Sequence, residues 1–205
     1  MRVIKFLTIA ILLVQTSTAM ADTIANRFGF TARVGGAIPG KLDDAELING
    51  STDTEDGVAW NGGFIYGFND NIAGELEVSY LPGLDVEIRG VKAYEAKMTD
   101  YAIGLQYRFM PKNQLVPYLG AGFDFIKGDL EHVNGNKYDL EWTWGGHISA
   151  GLDWFLTKGI ALSADLRGTA AVSGDIDRGD TKVNEYDPFW VQGTVGVRLI
   201  LPEKW

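Results

Sequence analysis

His147 and Ser149 stand two residues apart in Gly145-Gly146-His147-Ile148-Ser149. An imidazole beside a hydroxyl activates a serine when a carboxylate holds the imidazole in place. On an extended chain the two side chains share a face about 7 Å apart. The acids on that face of the same stretch, Glu141 and Asp153, are each six residues from His147, about 20 Å along a strand, too far to orient it. No catalysis is expected from this pair. The acid-rich stretch Gly174-Asp175-Ile176-Asp177-Arg178-Gly179-Asp180 lacks the ligand register of a calcium loop and reads as a solvated acidic loop, so neither metal nor cofactor is expected. A third set is Arg33, Glu75, Glu77, Arg108, Asp124, Glu141, Asp153, Asp165, Arg167 and Arg198. Charges of both signs set into apolar segments must pair with one another if those segments lie at membrane depth.

The element that has to position them is clearest at Trp142–Leu156. Trp142, Trp144, Gly146, Ile148, Ala150, Leu152, Trp154 and Leu156 occupy every even position, while the odd positions are mostly polar or small, Phe155 excepted. A period of two over this length is a strand with one apolar face, and it is far longer than the usual strand of about 5–6 residues. Trp144 and Trp154 would sit about 25 Å apart along a barrel axis, the height of a lipid-facing band between aromatic girdles. After the turn Thr157-Lys158-Gly159, the residues Ile160, Leu162, Ala164 and Leu166 resume the apolar face.

The same alternation recurs eight times. Phe28–Val34, Val58–Phe68, Leu76–Tyr80, Tyr101–Phe109 and Leu115–Phe125 precede the two strands just described, and Phe189–Leu201 follows them. Asn69-Asp70-Asn71, Met110–Gln114 and Thr157–Gly159 read as tight turns. Pro39–Asp56, Pro82–Lys97, Lys127–Asp139 and Ala170–Asp187 read as long polar loops. Short turns on one side and long loops on the other place the periplasm below and the exterior above. The expected fold is all-β: an eight-stranded antiparallel transmembrane β-barrel of the outer-membrane type, spanning residues 22–205.

Residues 1–21 read as a secretory signal peptide: Arg2 and Lys5 precede the apolar run Phe6–Val14, and Ala19-Met20-Ala21 fits a cleavage site near Ala21. The expected location is therefore the outer membrane. The chain has no Cys, which is permissive of an oxidising compartment. Without Arg2 and Lys5, 16 of the 18 basic residues face 27 acids, a net charge of −11 that argues against nucleic acid as a partner. A mean hydropathy of −0.02 suits alternating strands. A soluble barrel would carry its lysines on the outer strand faces, whereas the mature lysines, Lys41, Lys92, Lys97, Lys112, Lys127, Lys137, Lys158, Lys182 and Lys204, lie in or beside loops, turns and the C-terminus. The expected partners are outer-membrane lipids, lipopolysaccharide and small hydrophobic solutes.

Four stretches occur in order: Asn69-Asp70-Asn71-Ile72-Ala73-Gly74-Glu75-Leu76, Val116-Pro117-Tyr118-Leu119-Gly120-Ala121-Gly122, Gly145–Asp153, and Asp187-Pro188-Phe189-Trp190. In order and spacing they resemble the OmpW family of small outer-membrane barrels. Departures from the family lie in the loops and in the ending Pro202-Glu203-Lys204-Trp205. The resemblance implies passage of apolar ligands, released sideways through the barrel wall.

An eight-stranded barrel is narrow enough for side chains to fill. Counting from the turns puts Glu75, Arg108 and Asp153 low in the lumen and Arg33, Glu77, Asp165, Arg167 and Arg198 around its middle. Leu81, Met98, Ile126 and Trp190 should point inward near the outer mouth as a greasy pocket above this charged floor. A sideways exit needs broken ladder hydrogen bonds, and Pro82, which has no N–H to donate, is the best candidate for the break. The leading function is a conduit for small hydrophobic molecules. A structural or surface-interaction barrel is the alternative, and a lipid-modifying enzyme a distant third.

Overall fold

The computed structural model describes residues 23–40, 52–54, 56–88, 91–132, 137–172, 174–178, 181–186 and 189–202. The signal-peptide boundary near Ala21 lies outside them. Among the described residues eleven strands follow in chain order: β1 (Phe28–Pro39), β2 (Thr52–Thr54), β3 (Gly57–Gly67), β4 (Ile72–Ile88), β5 (Val91–Arg108), β6 (Leu115–His132), β7 (Lys137–Phe155), β8 (Ile160–Ala171), β9 (Gly174–Arg178), β10 (Thr181–Tyr186) and β11 (Phe189–Ile200). Leaving aside β2, β9 and β10, the other eight form an antiparallel ring. Each pairs with its neighbour in sequence, and β1 pairs with β11 from Gly29↔Ile200 to Pro39↔Trp190 to close the barrel.

The alternation sets the register. Ile148 is 73% exposed while His147 and Ser149 on either side are each 7% exposed, so the apolar face of β7 points outward and the polar face inward. Outward aromatic residues meet across strands, with ring centroids of Phe28 and Tyr66 4.6 Å apart and of Phe30 and Phe64 5.0 Å apart. Such cross-strand pairs stabilise a sheet by about 0.2–1 kcal/mol each.

The three tight turns stand where the sequence places them. Asn69 Oδ1 accepts from the backbone N–H of Asn71 and of Ile72, both at 2.8 Å, and Thr157 Oγ1 accepts from the N–H of Gly159 at 3.2 Å. The long connections differ from expectation. Pro82–Lys97 and Lys127–Asp139 are largely strand, since β4 runs on to Ile88, β5 starts at Val91, β6 runs to His132 and β7 starts at Lys137. Backbone pairing between β4 and β5 and between β6 and β7 continues above the apolar band, because polar side chains do not prevent a hairpin ladder from forming in water. The other two connections contain β2, paired with β4, and the β9–β10 hairpin.

The periplasmic end holds a feature the periodicity does not announce. Residues 23–27 fold beneath the barrel, where Ile24 packs with Ile65, Ala73, Val116, Phe155, Ala161 and Ile200 in a buried apolar plug. Phe155, the exception to the alternation, therefore belongs to this plug. Arg27 fastens it, donating from Nε to the carbonyl of Leu201 at 2.7 Å and from Nη2 to that of Lys158 at 3.3 Å.

Candidate functional site in the barrel lumen

Above the plug lies the lower charge layer. One oxygen of Asp153, Oδ2, accepts from Arg108 Nη2 and Arg198 Nη1, each at 2.6 Å. Arg198 Nη2 reaches Glu75 Oε1 at 3.0 Å, and Gln106 donates to the other oxygen of Glu75 at 2.6 Å. Arg198 thus lies lower than the sequence count puts it. β11 has no following turn to count from, and its Arg198 pairs with Ala161, next to the first residue of β8.

The middle layer joins Arg33 and Arg167 through Glu77. Arg33 Nη2 binds Glu77 Oε2, and Arg167 Nη2 binds Oε1 at 2.9 Å. Asn61 donates to the same carboxylate at 2.8 Å. The hydroxyl of Tyr118 donates to Asp165 at 2.9 Å and accepts from Arg33 at 3.2 Å. Arg33, Glu75, Glu77, Arg108, Asp153, Asp165, Arg167 and Arg198 are all buried. Paired charges packed this tightly leave no straight aqueous path through the described lumen, which is the physical content of a floor.

Asp124 faces the lumen as expected, while the side chain of Glu141 lies outside the described residues. The acid missing from the His147–Ser149 reading is Asp124, whose oxygens lie 2.8 and 2.9 Å from His147 Nδ1. The imidazole fits because Gly122 faces it: a Cβ there would come within 2.6 Å of His147 Cε1.

Nearest the mouth, Leu81, Ile126 and Trp190 come together with Ala37, Ala59 and Ala96 in a second buried apolar cluster, with Met98 packed against it. All four mouth residues read from sequence meet here. Instead of an open pocket they form a closed cap, with Leu81 and Ile126 fully buried and Trp190 nearly so. Pro82 stands at the edge of the cap, half-buried in the wall. The β4–β5 ladder shifts register between Leu81 and Leu84, and Gly83 adopts φ +66°, a conformation that disfavours other residues. On the other side of β4, pairing with β3 ends at Trp60↔Tyr80 and pairing with β2 starts at Thr54↔Val86. Among the described residues, Leu81 to Asp85 have no ladder partner on that side.

This barrel, capped at both ends and filled with ion pairs, matches over residues 6–198 the family described as outer membrane protein beta-barrel domain. The chain belongs to that family. Among solved structures, Neisserial surface protein A superposes on this outer membrane β-barrel with a TM-score of 0.64 at 14% identity, covering 84% of this chain and 96% of its own. OprG from Pseudomonas aeruginosa gives 0.63 at 19% identity, covering 88% and 99%. AlkL, solved by solid-state NMR in DMPC bilayers, gives 0.62 at 16% identity, covering 91% and 95%. OprG and AlkL are OmpW-type barrels, in keeping with the resemblance carried by the four sequence stretches. At these identities the likeness concerns the fold. Among curated proteins, none matches the sequence significantly.

Proposed function

We propose that this outer-membrane barrel takes up small hydrophobic molecules at its extracellular mouth and releases them sideways into the membrane beside Pro82. The observation that carries the reading is the adjacency of two features. The apolar cap of Leu81, Met98, Ile126 and Trp190 sits where the β3–β4 ladder is interrupted. A solute displacing the cap meets charge layers below that exclude apolar groups, and beside it a wall with few hydrogen bonds to break. Lipopolysaccharide and other outer-membrane lipids are the proposed surroundings of the aromatic outer face, which receives the solute.

Uptake of a labelled apolar solute into proteoliposomes tests the reading. The protein should add a flux over empty vesicles, and Pro82→Thr, which restores a donor to the ladder, should slow it. A flux equal to that of empty vesicles would sink it. The second reading, a surface-interaction barrel, draws on β4–β7 continuing above the apolar band and carrying β2 and β9 at their edges. For the third reading, lipid modification, Asp124 does supply an acid beside His147, but the pair faces the lumen beneath the cap, away from acyl chains. We therefore assign no catalysis. Release of acyl chains from purified lipopolysaccharide, lost in His147→Ala, would reverse that assignment.

A further inference from the structure

The cap is apolar except for one group. Trp190 is 2% exposed, yet among the described residues its indole Nε1–H has no hydrogen-bond partner. Buried indole N–H groups ordinarily find an acceptor, and leaving one unmade is costly. Two more groups unsatisfied among the described residues adjoin it. Thr169, directly across the ladder from Trp190, has an unpartnered hydroxyl. Gln192, two residues further down β11, donates from Nε2 toward Ser79 Oγ at 3.5 Å but leaves Oε1 without a partner. A donor, a hydroxyl and an acceptor thus lie together at the inner edge of a cluster that is otherwise hydrocarbon.

We propose that Trp190 selects, among hydrophobic solutes, those carrying one neutral oxygen, a hydroxyl or a carbonyl. This rests on the uptake reading and names the solute class for it. The oxygen accepts the indole hydrogen bond, while the hydrocarbon part replaces the packing that Leu81 and Met98 make within the cap. A hydroxyl gains further by donating to Gln192 Oε1 or Thr169 Oγ1. Carboxylates are disfavoured. A charged oxygen would lose its hydration against Leu81, Ile126 and Met98, which have no charge to offer in return.

The test compares 1-octanol with octane on the full mature chain in lipid nanodiscs, at matched membrane concentrations. Six Trp residues give six indole resonances, and Trp190→Phe identifies that of Trp190. Octanol should move the Trp190 indole proton and octane should not, with octanol binding about three- to tenfold more tightly. In Trp190→Phe that ratio should fall toward one, and Gln192→Leu should lower it in part. Equal affinities in the unaltered protein, or a ratio that survives Trp190→Phe, overturns the selection and leaves uptake standing. Failure of both solutes to bind overturns the uptake reading itself. Should Trp190→Phe not assemble, single Trp→Phe changes at the other five positions assign the Trp190 resonance by elimination, and its shift in the unaltered protein, compared between the two solutes, decides alone.

Discussion

Nδ1 of His147 lies 2.8 Å from Oδ1 of Asp124, a carboxylate on the neighbouring strand rather than on its own. The contact is diagonal: His147 stands opposite Gly122, and Asp124 opposite Gly145. Two glycines thus vacate the positions that a directly opposed pair would fill. Asp124→Ala should leave a buried imidazole without its partner and cost about 1–3 kcal/mol. Asp124→Asn, which keeps an acceptor oxygen, should cost less. Urea midpoints of unfolding from lipid vesicles measure both, and an unchanged midpoint for the alanine variant would show the contact to be dispensable.

Much of the barrel is legible from Trp142 to Leu166 because lipid outside and a polar lumen inside force one residue in two to be apolar. Every strand face of that kind can be read without knowing its partner. What depends on partners is harder to read. Asp124 is recognisable as a lumen acid, but its pairing with His147 requires the β6–β7 register, and distance along β7 alone points to no acid at all. Ile24 and Arg27 have no period to belong to, so the plug they build is visible only in three dimensions. The extended hairpins above the membrane look like loops because water removes the need for an apolar face on either side.

A second prediction concerns the lipid face. Ile148→Arg places a charge near the middle of the membrane, where it costs about 2–4 kcal/mol, whereas Ser149→Arg points into a polar though crowded lumen. Assembly, followed by the mobility shift of unboiled samples in electrophoresis, should suffer far more from the first change. Equal tolerance would mean that β7 is out of register by one residue.

Orientation follows from the turns. Thiol labelling of intact cells should reach Cys introduced at Asp53 or Asp129 but not at Asp70 or Lys158. Asp180, outside the described residues, should label with the first pair. Labelling of Lys158→Cys from outside would invert the barrel.

The plug should loosen in acid. Thr23 donates to Asp70 at 2.6 Å, and Lys112 lies 3.3 Å from the same carboxylate. Together they hold the exposed Asp70 carboxyl below its ordinary range, the Thr23 hydrogen bond contributing most. A carboxyl with a depressed folded-state value contributes stability that is present above about pH 3.9 and is lost as the pH falls through the lower folded value. A spin label at Ala25→Cys should therefore gain mobility as the pH drops below about 4, and with Asp70→Ala, which removes the acceptor, it should be mobile throughout. Mobility independent of pH in the parent chain would detach the plug from Asp70.

The route through the barrel is settled by comparing floor with wall. Arg108→Ala with Glu75→Ala removes one charge of each sign from the lower layer, leaving Asp153 with Arg198 alone. Because the apolar plug still lies beneath, ion leakage should rise only when Ile24→Ala is added. Apolar uptake should be indifferent to both steps, since a greasy solute that leaves at Pro82 never crosses the floor. Pro82→Thr should do the opposite, slowing apolar uptake with no change in ion conductance, because it acts on the wall above the ion pairs. Measured side by side in proteoliposomes, the two sets of variants have to separate. If opening the floor speeds apolar uptake while Pro82→Thr leaves it untouched, solutes run straight down the barrel, and the break at Pro82 is no more than the place where β4 bends.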